Sequence, residues 1–259
     1  MRLFVGLGNP GARYARNRHN IGYMAVDAIH DAHGFGPWRG KFQGQLSEGR
    51  LGTEKVLLLK PETYMNLSGQ SVGAAMKFYK LTPDAVTVFH DELDLAPGKC
   101  RVKTGGGHAG HNGLRSVHGA IGADYLRVRL GIGHPGNKAQ VSAYVLRDFP
   151  KADAGWLDDL MRGIADGAPD LAAGDTGRFM NAVGRRMAPA RAADAGTGTG
   201  KGKGAGKTGG GADKDGRAPA AASKPVAAPH SDTTGAPAAR PLQQEDTRSA
   251  LQRLIDRFR

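Results

Sequence analysis

The chain has 259 residues, a single cysteine and a formal net charge of +12 at pH 7, which excludes an intrachain disulfide framework and any cysteine-built metal site. No stretch approaches the ~20 apolar residues of a membrane span, and the apolar run Leu3–Leu7, broken by Gly6 and followed by Gly8 and Pro10, lacks a signal peptide's length and cleavage pattern, so a cytoplasmic protein is expected. Positive charge prevails both in the first 189 residues and beyond them, and a basic surface favours a polyanionic partner, nucleic acid being the commonest.

In chain order, Leu3 to Gly8 reads as a short buried strand ending in a Gly/Pro turn. Ile21, Met24, Ala25, Ala28 and Ile29 then recur at the spacing of a helix packed on a sheet. Val56–Leu59 is a second buried strand, ended by Pro61, and Val72, Ala75, Met76 and Tyr79 form a second helical stripe. Val86–Phe89 and the surroundings of Val102 read as further strands, Asn112–Ile121 as a helix, and Leu126–Ile132 alternates as a half-exposed strand should. Trp156, Leu157, Leu160, Met161 and Ile164 mark a late helix. Strands alternating with helices predict an α/β fold: one domain over residues 1–189 with a twisted mixed central sheet flanked by helices. From about Pro189 the composition turns to Ala, Gly, Pro, Lys, Ser and Thr, which cannot bury enough surface to offset its conformational entropy. Residues 190–246 are therefore expected to form a disordered linker. Residues 247–259 place Leu251, Leu254, Ile255 and Phe258 on one face of a short amphipathic basic helix. That helix reads either as a marginal frayed end or as a docking element for RNA, a membrane surface or a protein.

Four groups of polar and glycine residues fall at predicted strand ends, where α/β sheets place their sites: Asn9-Pro10-Gly11 with Tyr14 and Arg18-His19-Asn20; Thr63 to Gly69; the wholly glycine-free His90 to Asp94; and Gly105 to Gly113. Asn9, Asn66 and Asn112 supply uncharged amide donors and acceptors, suited to holding a substrate backbone or an oxyanion. His19 is the natural general base, mostly neutral at physiological pH, and Asp91 could fix its tautomer. With no Gly-x-Ser-x-Gly elbow, attack by an activated water is expected rather than a covalent intermediate. Each residue also has a plainer reading: His19 as a cap or surface residue, Asn9 and Asn66 as turn or N-cap residues, Asp91 as a local cap. The glycine run lacks the Lys-Ser/Thr of a phosphate loop. The several histidines show no helical His-x-x-x-His pair, so no metal is expected.

Together the stretches Val5–Gly11, Arg18–Gly22, Lys60–Gly69, His90–Asp94 and Gly105–Gly113 resemble the bacterial peptidyl-tRNA hydrolase family, over Leu3 to about Val183 and in family order. The resemblance implies hydrolysis of the ester joining a peptide to the 3′ end of tRNA, with His19 and Asp91 catalytic. It also implies substrate binding by Asn9, Tyr14, Met65, Asn66 and Asn112, and tRNA-backbone contacts from Lys103, Arg129 and Lys138. A monomer without metal or cofactor is implied too. The tail is expected to add weak RNA or ribosome contact. The alternative is a non-catalytic, splicing-factor-like RNA-binding relative, against which the intact set of His19, Asp91 and three asparagines speaks.

Overall fold

Alternation along the first strand already shows that both faces of the sheet are covered: Leu3 and Val5 point into one core and Phe4 into the other, all fully buried. The computed structural model describes residues 1–188; the expected linker at 190–246 and terminal helix at 247–259 lie outside the described residues. The elements run β1 (Arg2–Gly6), α1 (Ile21–Ala32), β2 (Arg39–Lys41), β3 (Gly44–Leu51), β4 (Glu54–Pro61), α2 (Ser68–Phe78), β5 (Val86–Glu92), β6 (Cys100–Thr104), α3 (Asn112–Ile121), β7 (Leu126–Gly131), α4 (Val141–Val145), α5 (Ala154–Ala172) and α6 (Thr176–Met187), with short 3-10 turns between some of them.

Seven strands form one mixed sheet in the order β2-β3-β4-β1-β5-β7-β6. β4, β1, β5 and β7 are mutually parallel, and antiparallel partners close both edges. α1, α5 and α6 share the core built on Phe4, Phe89 and Val128, whereas α2 and α3 share the core built on Leu3, Val5 and Val88. The chain leaves β1 for β4 on one side and then crosses back to β5 on the other. β1 is therefore the point where strand order reverses, and the helices after β1 and β4 lie on opposite faces. That divergence opens a crevice beyond the carboxyl ends of β1, β4 and β5, the usual place for a site in an α/β sheet.

One glycine sets how closely α1 approaches the sheet. A Cβ on Gly22 would stand 2.3 Å from the Phe89 carbonyl oxygen and 2.6 Å from Leu7 N, so only glycine lets the start of α1 rest on the ends of β1 and β5. The turn preceding α1 carries His19, and this contact brings it to the end of β5.

The strands and helices predicted within residues 1–188 are present. Three elements had no counterpart in the sequence reading: the β2–β3 hairpin, the five-residue α4 and the C-terminal α6.

Candidate active site

A cleft of about 830 Å³ opens above the crevice, lined by Asn9, Tyr14, His19, Met65, Asn66, Asp91, Asn112 and Lys138 among others. It brings together both catalytic candidates, all five substrate-binding candidates and one of the three basic ones. Lys103 and Arg129 lie outside it, on β6 and β7 at the sheet's edge.

His19 sits in the 3-10 turn Arg18–Asn20 just before α1. The segment before it is pinned to the far side of the cleft: Asn17 Nδ2 donates to Asp148 Oδ1 at 2.7 Å, Arg18 N donates to the Arg147 carbonyl at 3.0 Å, and the Arg18 guanidinium lies 4.4 Å over the Tyr144 ring. With the backbone so fixed, His19 Nδ1 lies 2.8 and 3.0 Å from the two Asp91 carboxylate oxygens. An ionised carboxylate only accepts, so Nδ1 carries the proton and Nε2 is the basic nitrogen. Asp91 is itself buried at the end of β5.

His111 completes the cluster and was not among the site residues chosen from sequence. It is the N-cap of α3, its Nδ1 accepting from the backbone N–H of Gly113 at 3.1 Å and of Leu114 at 3.3 Å. An Nδ1 that accepts leaves the proton on Nε2, and Nε2 lies 3.0 Å from Asp91 Oδ1. Asp91 thus receives two imidazole N–H groups. Burial alone would raise its pKa, but the two histidines hold it well below the usual carboxylate range. Burial likewise works to lower the His19 pKa, and the charge and hydrogen bond of Asp91 outweigh it, leaving His19 above its ordinary 6.5. His90 is kept neutral: burial, aided by His111, pushes it down to about 3.

The asparagines are placed with comparable definition. Asn20 brackets Asn9 by accepting from its N–H and donating to its carbonyl, both at 2.9 Å, and Asn9 Oδ1 accepts from Met65 N at 2.9 Å. Because a backbone N–H can only donate, the Asn9 amide is oriented with Nδ2 left as an available donor. Asn66 and Asn112 are exposed residues lining the cleft, in the 3-10 turn after β4 and at the first position of α3, two elements that pack against each other. Exposed Tyr64 also lines the cleft, as does Leu146, giving its wall apolar area.

His19, Asp91 and His111 are the one set among the described residues with ligand atoms close enough to share a metal, all within 4.8 Å. Their hydrogen-bonding roles are already accounted for without an ion: two N–H donors converge on one carboxylate, and the remaining His111 nitrogen caps a helix.

His111 therefore does two separable things. His111→Ala is expected to cost about 1 kcal/mol of stability through the lost cap and about tenfold in turnover through the lost bond to Asp91. His111→Asn should recover most of the cap while leaving the turnover deficit. Urea denaturation and steady-state kinetics on the two variants would check this.

The basic candidates share a sheet face. β6 and β7 pair Lys103 with Arg127 and Arg101 with Arg129, so the four side chains stand on the face opposite Val102 and Val128. Arg129 Nε is held by Glu92 at 2.9 Å and Lys103 is exposed. Arg101 belongs to this set by strand alternation, a signal the sequence carried.

The family profile described as peptidyl-tRNA hydrolase matches residues 3–190. A peptidyl-tRNA hydrolase of Dinoroseobacter shibae is 64% identical over 259 residues, covering the whole of both chains. One of Cereibacter sphaeroides is 74% identical over 191 residues, covering 74% of this chain and 85% of that protein. Among solved structures, peptidyl-tRNA hydrolase from Acinetobacter baumannii is 43% identical with a TM-score of 0.67, covering 71% of this chain and 94% of that one.

Proposed function

This chain belongs to the peptidyl-tRNA hydrolase family and hydrolyses the ester between a peptide and the 3′ end of tRNA, recycling tRNA from prematurely released peptidyl-tRNA; we propose that it does so with a water activated by His19. The observation that carries this reading is the buried His19–Asp91 pair on the cleft wall, whose proton placement leaves Nε2 as a base.

In this reading Nε2 takes a proton from water as its oxygen attacks the ester carbonyl carbon. The carbonyl π pair moves onto oxygen, where amide N–H groups of Asn9, Asn66 and Asn112 can stabilise it. Collapse expels the ribose oxygen, which takes the proton back from the His19 imidazolium. Asp91 stabilises that imidazolium and holds the ring. An ester is a reactive enough acyl donor that one base, one water and a few positioned donors suffice, so the scheme calls on no metal or cofactor. Tyr14, Met65 and the cleft's apolar wall would receive the peptide, with the asparagines gripping its backbone whatever the side chains. An N-blocked or peptidyl group is then expected to be cut and a free aminoacyl group, which places an ammonium there, to be spared. Parallel turnover of N-acetylaminoacyl-tRNA and aminoacyl-tRNA tests this, and equal rates would refute it.

Lys103 and Arg129 are assigned to the tRNA backbone, and Lys138, at the cleft, to its 3′ end. The protein is proposed to act in the cytoplasm as a monomer. Lys103→Ala and Arg129→Ala should each raise KM and lower the magnitude of the log–log salt slope by about 1. The tail is assigned a weak, salt-sensitive affinity for RNA or the ribosome. A chain ending at Ala190 should keep its turnover number, as the same salt titration would show.

A further inference from the structure

Arg127 is a buried arginine, only 4% exposed, and among the described residues no carboxylate pairs with it. An arginine is rarely buried without a charged partner. Here Nη1 donates to the Gly107 carbonyl at 2.8 Å, and Nη2 donates to the carbonyls of both Gly105 and Gly106. Three successive carbonyls can converge on one guanidinium because Gly105 and Gly106 adopt φ of 67° and 91°, conformations that favour glycine. Among the described residues, the glycine run's other backbone hydrogen bond toward the sheet is from Gly105 N to the carbonyl of Tyr125, just before β7, at 3.3 Å. Four residues after Gly107 the chain reaches His111, on Asp91, and then Asn112, on the lip of the cleft.

We propose that Arg127 is a positioning residue for the hydrolysis: by gathering the carbonyls of Gly105–Gly107 it sets where the loop delivers His111 to Asp91 and Asn112 to the cleft. Of its neighbours on the same sheet face, Lys103 and Arg129 are assigned to tRNA, whereas both terminal nitrogens of Arg127 are engaged by the loop. Removing it should therefore lower kcat rather than weaken tRNA binding. The inference rests on the hydrolase reading. Wild-type turnover of N-acetylaminoacyl-tRNA tests that reading, and the comparison of variants with the wild type tests this one.

The experiment compares Arg127→Gln, Arg127→Lys and Gly106→Ala with the wild type. A lysine keeps the charge but offers one compact nitrogen in place of the two fixed guanidinium nitrogens that share the three carbonyls. Gly106→Ala leaves Arg127 in place but strains the loop, since the position has positive φ and the new Cβ would lie 3.0 Å from Lys103 Nζ and 3.4 Å from Arg127 Nη2. All three are expected to lose about 10- to 100-fold in kcat, the scale of a misplacement near 1 Å, with KM and salt slope near wild type. The ¹⁵N shifts of His111 should change from the single Nε2–H form of the wild type to a mixture. If Arg127→Gln does not fold, Gly106→Ala carries the test. A folded variant with wild-type kcat overturns the proposal. So does lost kcat with the His111 tautomer unchanged, or a loss confined to KM.

Discussion

His19→Ala is expected to lower kcat by about two to four orders of magnitude, the usual worth of a positioned general base, while leaving the affinity for tRNA unchanged. The reasoning is local. The ring is oriented through Nδ1 by both oxygens of Asp91, and the preceding turn is anchored by Asn17 and Arg18, neither of which depends on the imidazole. Truncation removes the base and leaves its frame. Asp91 then loses one of its two imidazole donors and keeps His111, so the carboxylate is not stranded and the fold should survive. Single-turnover release of N-acetylaminoacyl groups, beside filter binding of uncharged tRNA, separates the two quantities. Retained turnover would move the base elsewhere in the cleft.

Asp91→Asn should be nearly as damaging, about 10²- to 10⁴-fold in kcat, and should also move the pH profile. Hydrolysis needs neutral His19, so the rate falls as pH drops through the His19 pKa. Asp91 keeps that pKa above 6.5 against the opposing effect of burial, which places the wild-type acid limb above 6.5. Without the carboxylate charge burial acts unopposed, and the limb should shift to the acid side of 6.5. The same pair links pH to stability. Asp91, depressed in the fold, contributes stability above its ordinary 3.8 that is lost as pH falls; His19, raised, contributes below 6.5 and loses that contribution as pH climbs through its folded value. Rate–pH profiles of wild type and variant decide the kinetic part, and an unmoved limb would show that another group titrates.

β1, β4 and β5 were readable because each holds a run of apolar side chains buried on two faces, β7 because its apolar residues alternate, and α1 and α5 because their stripes are long. The β2–β3 hairpin escaped: its strands hold few apolar residues, and its turn puts Phe42 and Gln43, rather than glycines, at the two central positions with φ of 56° and 53°. α6 buries only Phe179, Ala182 and Val183 among several arginines, too narrow a stripe to stand out after a Gly/Asp turn. At the site, the residues that act on substrate were legible because their types suit the chemistry and sit at strand ends. Those that act on other residues were not. His111 looked like one histidine among many until its two nitrogens were seen to serve different partners, and Arg127 looked like a strand-face arginine until its direction was known.

The strand order also bears on the protein's own synthesis. β1 is made first yet lies in the middle of the sheet, flanked by β4 and β5, and His19 waits 72 residues for Asp91. While it is being translated, this chain is itself a peptide esterified to tRNA, the linkage it exists to cut. No N-terminal fragment that stops before β5 holds both members of the dyad, and one that stops before residue 111 lacks His111 and Asn112. The nascent chain's own site is thereby incomplete until the residues through the start of α3 have been made.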